Sequence, residues 1–152
     1  MIGQPEAWHE FPPSEVAATE TRLYEFNRKA TGCDDGKGLA FVLRAGAETV
    51  GVAAGYSWAG IAELRQMWVA EPLRGAGHGR ALLEAFVEEA RRRRVRRVWV
   101  GSYDFQAPGF YEKAGFRRVV ELQGFPEGHT NVILCKELAQ AGERAWPISS
   151  GS

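Results

Sequence analysis

The sequence predicts an α+β domain built on one mixed sheet, and three observations predict it. Three apolar, strand-like runs separated by short turn signals fill Leu39 to Val69. A glycine-rich stretch then opens a helical apolar period that runs to Arg93. Strand and helix patterns alternate from there to Leu138. A strand meander, then strand–helix–strand–helix, then a strand pair is the order of a layered α+β fold.

Each element follows from local chemistry. A short strand is expected around Ala7 to Phe11, ended by Pro12 and Pro13. Ser14 reads as the N-cap of an amphipathic helix to Lys29, carrying Val16, Leu23, Phe26 and Ala30. "TGCDDGKG" is a loop. Strands are expected at Leu39–Arg44, Thr49–Trp58 and Ala62–Val69, and their short connections make them antiparallel hairpins. A helix from about Gly77 to Arg93 places Leu82, Leu83, Phe86, Val87 and Ala90 on one face. "VRRVWVGS" reads as a strand buried on both faces. "APGFYEKAG" is a short helix with Pro108 in its first turn and Gly115 past its end. "FRRVVELQ" and "TNVILCKEL" close the sheet.

The chain has 152 residues, enough for one domain, expected over residues 1–140. Residues 141–152, ending in "WPISSGS", read as an untethered tail, native or left by cloning. Nineteen basic residues balance nineteen acidic ones, so no global charge draws the protein to nucleic acid or membrane. Cys33 and Cys135 are too few and too far apart for a disulfide framework or a metal cluster, and two free thiols suit the cytoplasm. No apolar run is long enough to span a membrane. The run Arg91 to Arg97 sits where a helix ends, where cations are favourable, and no nucleic-acid recognition motif accompanies it.

The stretch "VAEPLRGAGHGRALL" carries the functional signal. Gly75, Gly77 and Gly79 lie at a strand-to-helix junction, although glycine loses more backbone entropy on folding than any other residue. They serve either tight turning and helix–sheet packing or the approach of a phosphate to the free amides of a helix N-terminus. A Walker loop is excluded because Arg80-Ala81 follows Gly79, and the dinucleotide fingerprint has a different glycine spacing.

Arg74-x-x-Gly77-x-Gly79, after a strand and opening a helix, resembles the pyrophosphate-binding motif of the GNAT superfamily of N-acetyltransferases. "APGFYEKAGFRRV" is similar to that family's second hallmark, a short helix with Phe-Tyr followed by Gly-Phe. The resemblance covers roughly Leu39 to Leu138. It implies a three-layer fold, with a central, mostly antiparallel mixed sheet and helices on both faces. It also implies acetyl-CoA as acyl donor, with no metal, and an amine as acceptor. The segment Arg74, Gly75, Ala76, Gly77, His78, Gly79 and Arg80 would hold the coenzyme phosphates. The main chain of Met67, Trp68 and Val69 would pair with the pantetheine arm, beside Phe110 and Tyr111. The family often has an asparagine before the Phe-Tyr helix; here Asp104 and Gln106 stand about there, and either could make that contact.

Acetyl transfer needs a neutral amine, a polarised thioester carbonyl and a stabilised leaving thiolate. The resemblance places Tyr111 as the acid, the alternative being an aromatic core residue beside Phe110. Glu63 stands where some members have a catalytic glutamate, the alternative being a strand-surface partner of Arg65. A carboxylate of pKa about 4.3 is a weak base unless burial raises it. His129, in "PEGHT", is the other base candidate, with an ordinary pKa of about 6.5, against a solvated loop histidine. Many members use ordered water and no dedicated base. A small amine, metabolite or antibiotic, is the expected acceptor. A protein N-terminus or lysine is the second reading, and a non-catalytic acyl-CoA-binding module the third. Sheet-edge homodimers are common in the family, and nothing in the sequence selects one.

Overall fold

In the computed structural model, residues 1–139 are described, so the tail expected at 141–152 lies outside them. They form two units, residues 1–34 and from Asp35 on. In the first unit, helix α1 spans Pro13–Thr31. Pro12 occupies the cap position and Ser14 lies inside the helix, because proline at the first helical position needs no partner for its missing N–H. Gly32, in the left-handed conformation, donates to the Arg28 carbonyl and ends the helix. Ala7 to Phe11 forms no strand; the two prolines behind it leave this segment without a ladder partner.

The second unit holds the sheet. Strands β1 (Lys37–Ala45), β2 (Glu48–Trp58) and β3 (Ile61–Val69) form the expected antiparallel meander. A single 3-10 turn at Glu71–Leu73 precedes α2 (His78–Arg92). β4 (Arg97–Tyr103), α3 (Pro108–Lys113), β5 (Arg117–Gln123) and β6 (Thr130–Glu137) follow. The strand order is β1-β2-β3-β4-β6-β5, with β3 and β4 the parallel pair and the rest antiparallel. This is the mixed α+β sheet that the sequence predicts.

The core lies between α2 and one face of the sheet. Leu82, Leu83, Phe86, Val87 and Ala90 of α2 bury against Leu39, Ala53, Leu64, Val98, Val100 and Leu134. β4 differs from its expected burial: Val98, Val100 and Ser102 are buried, while Trp99 and Tyr103 are only half-buried and Gly101 is exposed. The alternation follows from the pleat, which sends successive side chains to opposite faces. Lys136 Nζ donates to the Ala114 carbonyl at 2.6 Å and fastens the end of α3 to β6.

Candidate active site

β3 and β4 pair only from Ile61 to Leu64 and from Arg97 to Val100. Beyond that point β3 stays bonded to β2, and β4 to β6, as the two part from one another. A bulge in β3 stands at that point. Gly55 pairs with Leu64 and Ala54 with Gln66, so Arg65 is an extra residue. A bulge bends its strand and adds twist. Gly55 is required there, because a Cβ on it would collide with the Glu63 carbonyl oxygen.

A cavity of about 870 Å³ fills the split. One wall is the end of β3, from Arg65 to Val69, and the other is Val100, Gly101 and Ser102 of β4. Phe105, Gln106, Ala107, Phe110 and Tyr111 line the end where α3 begins, and Arg74 lines the glycine-loop side. Arg74 Nε donates to the Val69 carbonyl at 2.9 Å, which ties the loop to the end of β3.

The glycines of the loop divide by role. Gly75 and Gly77 have φ of +79° and +87°, a region that side chains disfavour, and Gly77 is the N-cap of α2. No side chain caps this helix, and its first bond runs from Ala81 N–H to the Gly77 carbonyl. The N–H groups of His78, Gly79 and Arg80 therefore have no hydrogen-bond partner among the described residues. Gly79 has ordinary φ and packs toward the Phe110 ring and the Met67 methyl, with 3.6–3.7 Å left for a Cβ. A Cβ there would make only ordinary contacts, so the requirement for glycine in this loop rests on Gly75 and Gly77.

Tyr111 is 6% exposed, edge-on between Phe110 and Phe116. Burial pushes its phenol up to about 12. The hydroxyl has no protein partner among the described residues, yet is not sealed off, and Tyr111 lines the cavity. Tyr111 thus belongs both to the core and to the cavity wall.

The base candidates fall in different places. The Glu63 carboxylate accepts from Arg65 Nε at 2.9 Å, and Arg65, not Glu63, lines the cavity. His129 Nδ1 lies 3.0 Å from Asp104 Oδ1, and Asp104 Oδ2 accepts the Thr130 N–H at 3.2 Å. Asp104 is absorbed in that turn rather than lining the cavity, whereas Gln106 does line it, its Oε1 accepting the Tyr103 N–H. Phe105 stacks on Tyr103 and meets His129 edge-on, so one aromatic ring separates His129 from the cavity. Sequence reasoning missed Gly101, Ser102 and Phe105 as wall residues; a glycine inside a strand was the available signal. Of the arginine run, Arg91, Arg92, Arg93 and Arg97 pair with Glu88, Glu89 and Glu137. No group of His, Cys, Asp or Glu that could hold a metal occurs among the described residues, and no helix there is long and apolar enough to cross a membrane.

The comparison with known proteins decides the family. The family model of the acetyltransferase (GNAT) family matches residues 4–116. The chain belongs to the GNAT acetyltransferase family. A blasticidin-S acetyltransferase from Streptomyces morookaense is 39% identical over 74 residues, 47% of this chain and 54% of that protein, so the chain spans about half the length of that curated relative. Among solved structures, an acetyltransferase from Agrobacterium tumefaciens shares the fold at TM-score 0.78 and 23% identity, over 89% of this chain and all of that one (100%). A GNAT acetyltransferase from Elizabethkingia anophelis, solved with acetyl-CoA bound, matches at TM-score 0.57 and 19% identity, over 89% of this chain and 96% of that one. The split strands, Arg74 and the Phe-Tyr helix of this GNAT fold meet at the cavity; of the predicted phosphate-binding segment, Gly75 to Arg80 do not line it.

Proposed function

We propose that the chain transfers the acetyl group of acetyl-CoA to a primary amine of a small molecule by direct attack in a ternary complex. The observation that carries this reading is the end of β3–β4 pairing at Leu64 and Val100, which turns the main chain of 65–69 toward a cavity that Tyr111 also lines. In this reading Met67, Trp68 and Val69 bond the pantetheine arm through their main chain. The free amides of His78, Gly79 and Arg80 take the diphosphate, held by helix-terminal N–H groups and the helix dipole.

The reaction forms a C–N bond and breaks the thioester C–S bond. The attacking amine gives up a proton and the departing sulfur accepts one. Tyr111 donates a hydrogen bond to that sulfur. Complete transfer of its proton is disfavoured: a phenol near 12 lies about 3.5 units above a thiol of about 8.5, which is about 5 kcal/mol uphill. Stabilisation by a positioned donor is therefore its role, and the proton that ends on the thiol comes from the amine.

His129 is the better placed of the two base candidates. Asp104 holds its Nδ1 and leaves Nε2 to take a proton through water. Glu63 serves instead to anchor Arg65 at the bulge. The small-molecule acceptor is supported by the blasticidin-S acetyltransferase relative.

The test is thiol release from acetyl-CoA with blasticidin S, simple diamines and a peptide with a free N-terminus. Release with a small amine, reduced in His129→Ala, supports the reading. Release with the peptide alone replaces the acceptor class, and no release with any amine contradicts the proposal.

A further inference from the structure

Among the described residues, the cavity wall carries two cations, Arg65 and Arg74, and no Asp or Glu. Arg74 already has a task, tying the glycine loop to the end of β3. Arg65 stands at the other end of that wall. It is the residue looped out of the β2–β3 ladder, directly after Leu64, the last residue of β3 that pairs with β4. Its Nε donates to the Glu63 carboxylate at 2.9 Å, and its guanidinium lies 5.7 Å from the centroid of the Tyr56 ring. Glu63 and Tyr56 are cross-strand partners and share one face of the sheet. That face points away from α2, because Ala62 and Leu64, on either side of Glu63, bury in the core that α2 covers. The Arg65 head is therefore on one face of the sheet, and the α2 terminus with its free amides is on the other. Two contacts orient the guanidinium, yet the side chain remains 52% exposed. Such a half-exposed ion pair is weak, and an arginine presents five N–H donors, of which this bond uses one.

We propose that the acceptor is a primary amine that also carries a carboxylate, and that Arg65 binds that carboxylate on the sheet face away from α2. The inference rests on the acetyl-transfer reading above and narrows its acceptor. An acetyl group has no charge, and the coenzyme phosphates belong to the α2 terminus on the opposite face, so an anion at Arg65 belongs to the acceptor. A guanidinium fork matches a carboxylate in shape and charge. Anchoring one end of the acceptor presents its amine to the thioester. A polyamine would instead bring further positive charge to a wall that holds only cations.

Thiol release is measured for pairs that differ by a carboxylate: phenylalanine and phenethylamine, tryptophan and tryptamine, β-alanine and ethylamine. Spermidine is the cationic acceptor. The wild type is expected to favour the carboxylated member at least tenfold in kcat/KM and to use spermidine least well. In Arg65→Gln the KM of the carboxylated member is expected to rise at least tenfold, while the KM values of its partner and of acetyl-CoA stay within twofold. Arg65→Lys is expected to recover part of the loss. A merely structural Arg65 would affect both members alike, so an equal loss across a pair overturns the inference. So does a wild type that prefers spermidine or the amines without a carboxylate, or an Arg65→Gln protein with unchanged KM for whichever amine the wild type acetylates best. Those outcomes leave acetyl transfer standing. No release from the wild type with any amine removes the inference together with the reading it rests on.

Discussion

Gly55 on β2 lies against the main-chain carbonyl of Glu63 on β3 with no room between them for a side chain. The contact sits where Arg65 is looped out of the β2–β3 ladder, and it is there that β3 departs from β4. One glycine on the neighbouring strand therefore helps to open the cavity. Gly55→Ala is expected to lose about 1–3 kcal/mol of stability by overpacking, measured by urea unfolding. In the protein that still folds, acetyl-CoA affinity is expected to fall, although Gly55 does not line the cavity. An alanine variant with unchanged stability and affinity would separate the bulge from the site.

Tyr111→Phe isolates the phenol. It is expected to lower kcat by about 100-fold, as removal of one positioned donor does. Acetyl-CoA binding should stay within a few-fold, since the ring and its packing against Phe110 and Phe116 remain.

The same substitution tests the raised pKa. The folded phenol titrates at about 12 and an unfolded tyrosine at about 10. The folded state thus holds this proton more tightly. The stability linked to it is complete below pH 10 and is lost as pH rises from there through 12, by at most about 3 kcal/mol. Wild type should lose stability relative to Tyr111→Phe across that window and not below it, as followed by urea unfolding at several pH values. For the same reason, Tyr111 should produce no fall in kcat below about pH 10.

Phe86 is wholly buried between α2 and the sheet. Phe86→Ala is expected to cost about 3–5 kcal/mol, a large share of an ordinary domain's stability of about 5–15 kcal/mol. Phe86 does not line the cavity, so the fraction that remains folded should bind acetyl-CoA as the wild type does. Denaturant unfolding with and without the coenzyme separates the two effects.

The order of elements along the chain, α2 and the short α3 were legible because their signals are local: alternating runs, a 3.6-residue apolar period, Pro108 before and Gly115 after. The loop from Arg74 to Arg80 was legible because the glycines that need positive φ, Gly75 and Gly77, lie in one stretch. The bulge was not, because it exists only in the register between β2 and β3, and neither Gly55 nor Arg65 announces it alone. The engagement of Asp104 was hidden for the same reason: its partners His129 and Thr130 lie 25 and 26 residues away.

In the proposed reading, acetyl-CoA lies in the split between β3 and β4 with its diphosphate at the open terminus of α2. Calorimetric titration of acetyl-CoA into the wild-type chain and into Gly77→Val tests it most directly. Gly77 has φ +87° and open space around it, so the substitution strains the helix start without colliding with a neighbour. One saturable site is expected on the wild type, and binding at least tenfold weaker in a Gly77→Val protein that remains folded by circular dichroism. No binding by the wild type, or equal affinity in both, would contradict it.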